Sequence, residues 1–350
     1  MTQQDIARLT GVSQATVSLV LNGRADAEVR IAPQTRDRVM RAIQETGYVP
    51  DPIARRLAAQ HNRIIGVFTY EAVFPSGTGD FYHPFLVGIE ERAESLGCDL
   101  LLLTSAPVID GRRRIFHEDN RLRLADGCIL IGRSLDRVEL ARLVSDGLPF
   151  VSVGRRDDAG GPVPYVGADY PAGVSELVRR AVALGHVRLA YLGQGAGPES
   201  HADRMRGFAA GAKETGAKGR HETVAGRDVQ EIFESIRKAG VTAVFAEEHA
   251  DAVALAVIAE DNGLTVPDDL SVLALGDPTR VEKPTAVEFT GFRIPRQQMG
   301  REALDVLSAL IEGTPTRTQR LLPCSLVPGA TLAPAPRRAR TNKTAHASTT

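Results

Sequence analysis

The chain has 350 residues, enough for two or three compact units, and its 43% apolar content supports hydrophobic cores. The formal net charge of −1 does not by itself indicate nucleic-acid binding. No apolar stretch follows a basic N-terminus, and no run approaches the roughly 20 apolar residues of a membrane span. We therefore expect a cytoplasmic protein with no membrane partner. Three widely spaced cysteines, Cys98, Cys128 and Cys324, are typical of free thiols in a reducing compartment.

Residues 5–22 predict two short helices around a tight turn. Ile6 and Leu9 give the first helix an apolar side, and Val17, Val20 and Leu21 do the same for the second. Gly11 stands where the first helix must end. This spacing predicts a helix-turn-helix, whose second helix enters the major groove of DNA.

The predicted helices also have capping residues. Thr2 and Asp5 form a possible capping box for the first helix, and Ser13 is placed to cap the second. The outward side of the second helix carries short polar or small groups suited to base edges, namely Gln14, Ala15, Thr16 and Ser18. Residues 1–60 hold eight arginines against six acidic residues, a modest positive charge that favours two copies on one DNA site. Helix pairs joined at glycine also occur in proteins that do not bind DNA.

An ordered set of motifs resembles the LacI/GalR family of bacterial transcription regulators, and the resemblance extends to about Ala333. The motifs are Asp5-Ile6-Ala7, Gly11-Val12-Ser13, Thr16-Val17-Ser18, Val20-Leu21-Asn22, Thr35-Arg36-Asp37-Arg38-Val39, Gly47-Tyr48-Val49-Pro50, Ala54-Arg55-Arg56-Leu57 and Ile65-Gly66-Val67. The resemblance implies a small all-α helix-turn-helix headpiece followed by a two-lobed α/β body with parallel sheets, like a periplasmic binding protein.

The resemblance also implies which residues contact DNA. In the headpiece they are Thr2, Ser13, Gln14, Ala15, Thr16, Ser18, Leu19, Asn22, Thr35 and Tyr48. Residues 53–60 would form a hinge helix that orders on operator DNA, with Ala54 allowing close contact, Arg55 meeting phosphate and Leu57 wedged between base pairs in the minor groove. The alternatives are a core aromatic for Tyr48, which does not exclude a phosphate contact, and an ordinary linker helix for residues 53–60.

From Arg63 onward, apolar runs alternate with helical stretches, as in a doubly wound α/β fold with buried parallel strands. The predicted strands are Ile64–Phe68, Leu100–Leu103, Cys128–Ile131, Phe150–Val153, Leu189–Leu192, Ala243–Ala246, Leu270–Leu275 and Ser325–Val327. We assign residues 1–49 to the headpiece and 50–62 to the hinge. The first lobe takes 63–166 with 291–323, the second takes 167–290 with 324–332, and 333–350 form a disordered tail.

Open α/β sheets bind ligands beyond the carboxyl ends of their strands, so the candidate effector residues follow strands. They are Tyr70, Phe85, Asp169, Arg204, Glu248 and Asp277. Arg204 begins an Arg-x-x-Gly-aromatic motif whose arginine contacts effector oxygens in the family, although it could also be a surface charge. The sequence departs from the family where Gly276 replaces an aspartate and Glu248-His249 replaces Asn-Asp.

These features predict a dimeric repressor that binds a palindromic operator and responds to a sugar-like small molecule. The effector could instead be a non-sugar molecule, or there could be none. A transport-type binding protein without a DNA role is the rival of a different class. The sequence contains no G-x-S-x-G, P-loop or H-E-x-x-H motif, so we expect no enzyme activity, cofactor or metal.

Overall fold

The computed structural model describes residues 1–22, 31–48, 62–71, 79–109, 111–278 and 288–336. The chain divides into two compact units, residues 1–62 and residues 63–350. The first unit contains three described helices, α1 (Gln3–Thr10), α2 (Gln14–Asn22) and α3 (Pro33–Thr46). The predicted hinge helix at 53–60 lies outside the described residues.

The three headpiece helices enclose a small apolar core. Ile6, Val17 and Val39 are fully buried, and Val20 is nearly so. The predicted inner face of α2 is therefore confirmed. The prediction that Leu9 lies on the buried side of α1 is wrong, because this residue is 63% exposed. Helix α1 buries Ile6, Ala7 and Thr10 instead.

The predicted caps are confirmed. The Oγ1 of Thr2 accepts from the Asp5 N–H at 3.3 Å, and the Asp5 carboxylate accepts from the Thr2 N–H at 2.8 Å. The Oγ of Ser13 accepts from the Thr16 N–H at 3.1 Å, at the start of α2. Gly11 ends α1 at φ 64°, a left-handed conformation that glycine adopts without strain.

The second unit alternates strands and helices. Its strands are β1 (Ile64–Thr69), β2 (Asp99–Leu103), β3 (Val108–Ile109), β4 (Arg112–Arg113), β5 (Gly127–Ile131), β6 (Phe150–Val153), β7 (Tyr165–Ala168), β8 (Arg188–Leu192), β9 (Lys218–Glu222), β10 (Ala243–Ala246), β11 (Ser271–Ala274), β12 (Thr290–Arg293), β13 (Gln319–Leu322) and β14 (Ser325–Val327). Its α-helices are α4 (Gly79–Leu96), α5 (Arg137–Asp146), α6 (Tyr170–Ala183), α7 (Glu199–Thr215), α8 (Val229–Lys238), α9 (His249–Asp261) and α10 (Arg296–Glu312). A single 3₁₀ turn spans Leu122–Leu124.

Two six-stranded sheets define two lobes. The first has the strand order β13-β7-β6-β5-β1-β2 and is entirely parallel. The second has the order β14-β12-β11-β10-β8-β9 and is parallel except for the β12–β14 pair. The chain passes between the lobes three times, after β7, after β12 and after β13. This arrangement is the predicted two-lobed α/β body.

Two predicted lobe boundaries are wrong by two or three residues. The boundary at 166/167 falls inside β7, which stays paired with β13 through Ala168. The boundary at 290/291 falls inside β12, whose pairing with β14 keeps residues through Arg293 in the second sheet. In both cases the strand runs to its carboxyl end before the chain crosses. Helix α10 then packs on α4 in the first lobe.

The predicted disordered tail begins too early. The structure describes the chain to Pro336, and the Ala335 N–H donates to the carbonyl oxygen of Leu184 at 2.9 Å. Ala333 also offers its carbonyl oxygen to the buried His186, 2.9 Å from Nε2. Residues 333–336 are therefore attached to the second lobe, and the rest of the predicted tail lies outside the described residues.

Two further sequence expectations concern cysteines and membranes. All three cysteines are free thiols, with Cys128 fully buried and the other two partly buried. Burial raises the pKa of Cys128 to about 12, so this thiol stays protonated at neutral pH. Within the described ranges, every helix is too short or too polar to cross a membrane.

Candidate functional site

The outer face of α2 is the first candidate site. Ser13, Gln14 and Ala15 are exposed, whereas Thr16, Ser18 and Leu19 are half-buried. Leu19 lies two residues from the buried Val17, about 200° around the helix, so it belongs to the outer half of α2. On this face, Leu19 is a large apolar side chain among polar or small ones.

The remaining headpiece candidates are more dispersed. Thr35, in the first turn of α3, is half-buried. Tyr48 packs against the headpiece core, as the alternative reading of this residue expects. Thr2 caps α1, and its hydroxyl donates to the Asp5 carboxylate at 2.9 Å. Asn22 is the last residue of α2. Ala54, Arg55 and Leu57 lie outside the described residues.

The second candidate site is a cleft between the two lobes. Helices α4 and α10 and the ends of β5 and β6 contribute from one side, and α6, α7 and the ends of β10, β11 and β12 from the other. Four predicted effector residues line the cleft, namely Phe85, Arg204, Glu248 and Asp277. The carboxyl ends of parallel strands therefore do bring most of the predicted residues together.

Arg204 is held in the cleft by two hydrogen bonds and one stacking contact. Its Nε donates to the carbonyl oxygen of Leu275 at 2.7 Å, and its Nη1 donates to that of Ser200 at 3.1 Å. The guanidinium also lies 3.9 Å from the ring centre of Tyr170, a cation–π contact. These contacts fix the guanidinium plane, so Nη2 is left to face a ligand.

Two predictions for the cleft are wrong. Tyr70 is only 1% exposed and packs with Phe68 in the apolar cluster on the other face of the first sheet. Residues two apart in a strand point to the same face, so Tyr70 follows Phe68 away from the cleft. Asp169 does not line the cleft either, because its carboxylate accepts from the Ala172 N–H at 3.1 Å and caps α6.

Ion pairs across the lobes are a feature that sequence reasoning missed. Arg155, which follows β6, donates to the buried Asp203 of α7 at 2.6 Å. The next residue, Arg156, donates to Glu199 at 3.1 Å and to the carbonyl oxygen of Gly132 at 2.6 Å. Both arginines follow a strand end, which is the signal that could have identified them.

The Phe81 ring contacts two further arginines that the sequence analysis did not identify. The guanidinium carbons of Arg133 and Arg296 lie 5.0 Å and 4.9 Å from the centre of its ring. Arg296 begins α10 and is only 7% exposed, whereas Arg133 is exposed. Asp277 is the nearest acid to Arg296, at 3.7 Å, and its carboxylate also accepts from the Ile294 N–H.

His201, Glu247 and Glu248 are close enough to hold a metal ion together. The Nδ1 of His201 lies 2.6 Å from Glu247, whose other oxygen accepts from the Tyr191 hydroxyl and the Gly195 N–H. Burial raises the pKa of Glu247, but the contacts with His201 and Gly195 outweigh burial and hold this pKa below its usual value. Glu247 is thus an ionised carboxylate with several protein partners, and these contacts account for its burial without a metal.

Comparison with known proteins agrees with this division of the chain. Residues 2–51 match the family described as bacterial regulatory proteins, lacI family, and residues 178–332 match the periplasmic binding protein-like domain. Catabolite control protein A of Priestia megaterium is 28% identical, over 88% of this chain and 92% of its own length. The transcriptional regulator CelR of Thermobifida fusca is 29% identical, over 92% of this chain and 95% of its own length.

Solved structures share the fold. The lac repressor dimer bound to operator and an anti-inducer matches with a TM-score of 0.70 at 22% identity, covering 95% of this chain and 99% of that one. The CelR–cellobiose complex matches with a TM-score of 0.61 at 24% identity and the same coverage. These similarities establish a helix-turn-helix headpiece followed by a two-lobed α/β body.

Proposed function

Because the chain carries a lacI-family DNA-binding domain and a periplasmic binding protein-like domain, and its homologues are LacI-family transcription regulators, we propose that it is an operator-binding repressor. It acts as a homodimer on a near-palindromic site, and a small molecule in the interlobe cleft controls its affinity for DNA. The observation that carries the proposal is the outer face of α2, on which Gln14 and Ala15 are exposed, in a headpiece that forms its own compact unit.

The DNA contacts follow from the chemistry of that face. Gln14 can bond an adenine edge, and Ala15 and Leu19 can contact thymine methyl groups. Thr16 and Ser18 carry hydroxyls suited to phosphates or bases. One headpiece has only a small positive charge, so a single copy supplies little of the electrostatic affinity that specific binding needs. Two copies on two half-sites remedy this, and Ala54, Arg55 and Leu57 would add minor-groove contacts at the centre.

The effector would bind where the lobes face each other. Arg204 offers a fixed guanidinium, Glu248 and Asp277 offer carboxylates, and Phe85 supplies an apolar wall. Such a mixture suits a small molecule with several oxygen atoms, and CelR was crystallised with cellobiose. A sugar or a related metabolite is the class that this lining favours.

Two rival functions have less support. A transport-type binding protein would use the same cleft but would have no use for the α2 face. An enzyme is the second rival, but the homologues of this chain are transcription regulators rather than enzymes. We therefore infer no catalytic role for the cleft.

The test is retention on DNA, followed by sedimentation. A randomised-site selection with the full chain should enrich a near-palindromic sequence, and the complex should sediment with two chains per duplex. The fragment 63–350 is the control and should lose specific retention. Tight, specific binding by one chain would contradict the dimer, and specific retention of the fragment would contradict the assignment of the DNA site to the headpiece.

A further inference from the structure

Arg296 is a buried cation without a close acidic partner. Its side chain is 8% exposed, and Asp277 stands 3.7 Å away, beyond hydrogen-bond distance. Its Nε is buried and, among the described residues, has no hydrogen-bond acceptor. A buried guanidinium that makes no hydrogen bond is costly, because the long ion pair with Asp277 and the Phe81 ring replace only part of the hydration that burial removes.

Arg156 shows how the same cleft treats a buried arginine that serves the fold. It is 4% exposed, but Glu199 and the carbonyl oxygen of Gly132 lie within 3.1 Å of its two terminal nitrogens. Among the described residues, Arg296 has no contact as close as these, although it is buried to a similar degree. This difference indicates that the guanidinium of Arg296 pairs with a group that a bound molecule supplies.

Arg204 and Arg133, which share this part of the cleft with Arg296, form no salt bridge among the described residues. Arg204 faces Arg296 from the opposite lobe and uses its hydrogen bonds on two carbonyl oxygens. A Cβ built on Gly276 would lie 3.7 Å from Arg204 Nη2, so glycine at this position places no side chain against that nitrogen. Arg133 lies against the same Phe81 ring as Arg296. Burial lowers the pKa of Arg296, and the charge of Arg204 adds to this effect, whereas Asp277 opposes it.

We propose that the cleft binds an oxyanion, a carboxylate or phosphate group of the effector, between Arg296 of the first lobe and Arg204 of the second, with Arg133 at its edge. Bidentate arginine–oxyanion pairs are among the strongest hydrogen-bonded contacts in proteins. An oxyanion between the two arginines neutralises their repulsion and so favours the approach of the two lobes. This inference rests on the proposed effector role of the cleft and narrows the effector to acidic or phosphorylated molecules.

The experiment measures thermal unfolding of the full chain in sodium chloride, sodium acetate and sodium phosphate at equal ionic strength. At a concentration roughly ten times its Kd, a bound oxyanion should raise the melting temperature of the wild type by about 2–4 °C over chloride. Arg296→Met should lose this rise. In chloride alone, Arg296→Met should lose less of the melting temperature than the matched control Arg156→Met, because Arg156 has two close hydrogen-bond partners and Arg296 has one long ion pair.

Each outcome decides the proposal. A rise in phosphate alone assigns a phosphate group, a rise in acetate alone assigns a carboxylate, and a rise in both leaves a site for either. Equal responses to the salts in wild type and Arg296→Met overturn the proposal, as does a folded Arg296→Met that melts no higher than Arg156→Met in chloride. Should Arg296→Met fail to fold, Arg133→Met at the exposed edge must reduce the rise. Operator binding is not measured here, so failure of the oxyanion site is distinguishable from failure of the proposed DNA-binding function.

Discussion

His186 is a fully buried histidine with an acceptor or donor at each ring nitrogen. Its Nδ1 lies 2.9 Å from the Thr242 hydroxyl, and its Nε2 lies 2.9 Å from the carbonyl oxygen of Ala333. Burial lowers the pKa of His186, and the carbonyl contact only partly offsets this effect. The ring therefore stays neutral in the folded protein at pH values where the unfolded chain is already protonated.

This difference predicts that the folded protein loses stability as the pH is lowered. Below the unfolded-state pKa of about 6.5, the unfolded chain binds a proton that folded His186 does not, so the free energy of unfolding decreases as pH falls. The contribution is at most about 1.4 kcal/mol per pH unit. Melting temperatures from pH 8 to 5.5 should fall less steeply for His186→Gln than for the wild type. Burial also lowers the pKa of His249, which should leave a residual slope in the variant. Identical slopes would contradict the assignment.

Leu19 gives a second prediction at this scale. It lies on the outer half of α2, where an arginine could reach a guanine edge and contribute about 1–3 kcal/mol of discrimination. Leu19→Arg should change the preferred base at one symmetric position in a randomised-site selection. Leu9→Arg is the matched control, because Leu9 is 63% exposed on α1 and the change adds the same charge. The control should not alter base preference, and an unchanged preference for Leu19→Arg would show that residue 19 does not face the bases.

Single residues also show how far sequence reasoning reaches. The motif around Arg204 locates a cleft residue because the motif itself carries that information. Arg296 was missed because its meeting with Phe81 and Asp277 joins segments far apart in the chain. Tyr70 was misplaced although strand alternation from Phe68 could have assigned it to the core.

At the scale of elements, α4 and α10 pack with their backbones unusually close. A Cβ on Gly88 would lie 1.9 Å from the carbonyl oxygen of Gln297, and one on Gly300 would lie 2.2 Å from that of Phe85. This contact places Phe81, on α4, against Arg296, at the start of α10. The geometry of the cleft therefore depends on two glycines outside it.

Gly88→Ala should be strongly destabilising, because the added methyl group meets backbone atoms that cannot rotate away. We expect a loss of about 3 kcal/mol or more in the free energy of unfolding, measured by denaturant titration. Gly276→Ala is the control, since its nearest neighbour would be the Glu247 carbonyl oxygen at 3.6 Å, an ordinary contact. If the two variants lose similar stability, the close packing of α4 on α10 does not explain the glycine at position 88.

Elements also differ in how well the sequence predicts them. The strands β1, β5, β6, β8, β10 and β11 appear within two residues of their predicted bounds, because strands buried on both faces form continuous apolar runs. The interior strands β7 and β12 were not among the predicted strands. Strand β9 (Lys218–Glu222) was missed because it is a polar edge strand, exposed except at its last residue. Two of the predicted crossings between the lobes were placed two or three residues too early, because hydropathy does not mark where a chain changes sheet.

At the scale of the whole molecule, the proposed function couples two separately folded units. An effector can change operator affinity only if it binds one arrangement of the lobes more tightly than another. The lobes meet through charged contacts, Arg155 with Asp203 and Arg156 with Glu199, and the Arg204–Tyr170 stack within the second lobe lies beside them. These contacts provide an interface whose free energy a ligand in the cleft can change.

Arg204→Ala should therefore remove the effector response while preserving the basal operator affinity of the full chain. The two carbonyl oxygens that Arg204 bonds lie at the cleft, where water can replace the guanidinium, so we expect a modestly lower melting temperature rather than unfolding. The measurement is an operator titration with and without a ligand obtained from a thermal-shift screen of sugars, sugar acids, sugar phosphates and nucleobases.

The control for Arg204→Ala is Lys213→Ala, an exposed position on the same helix, which should respond as the wild type does. A wild-type ligand response in Arg204→Ala would place the effector elsewhere, and loss of operator binding without ligand would make Arg204 a structural residue. Unchanged basal affinity together with a lost response would mean that the cleft acts on DNA only through the arrangement of the lobes.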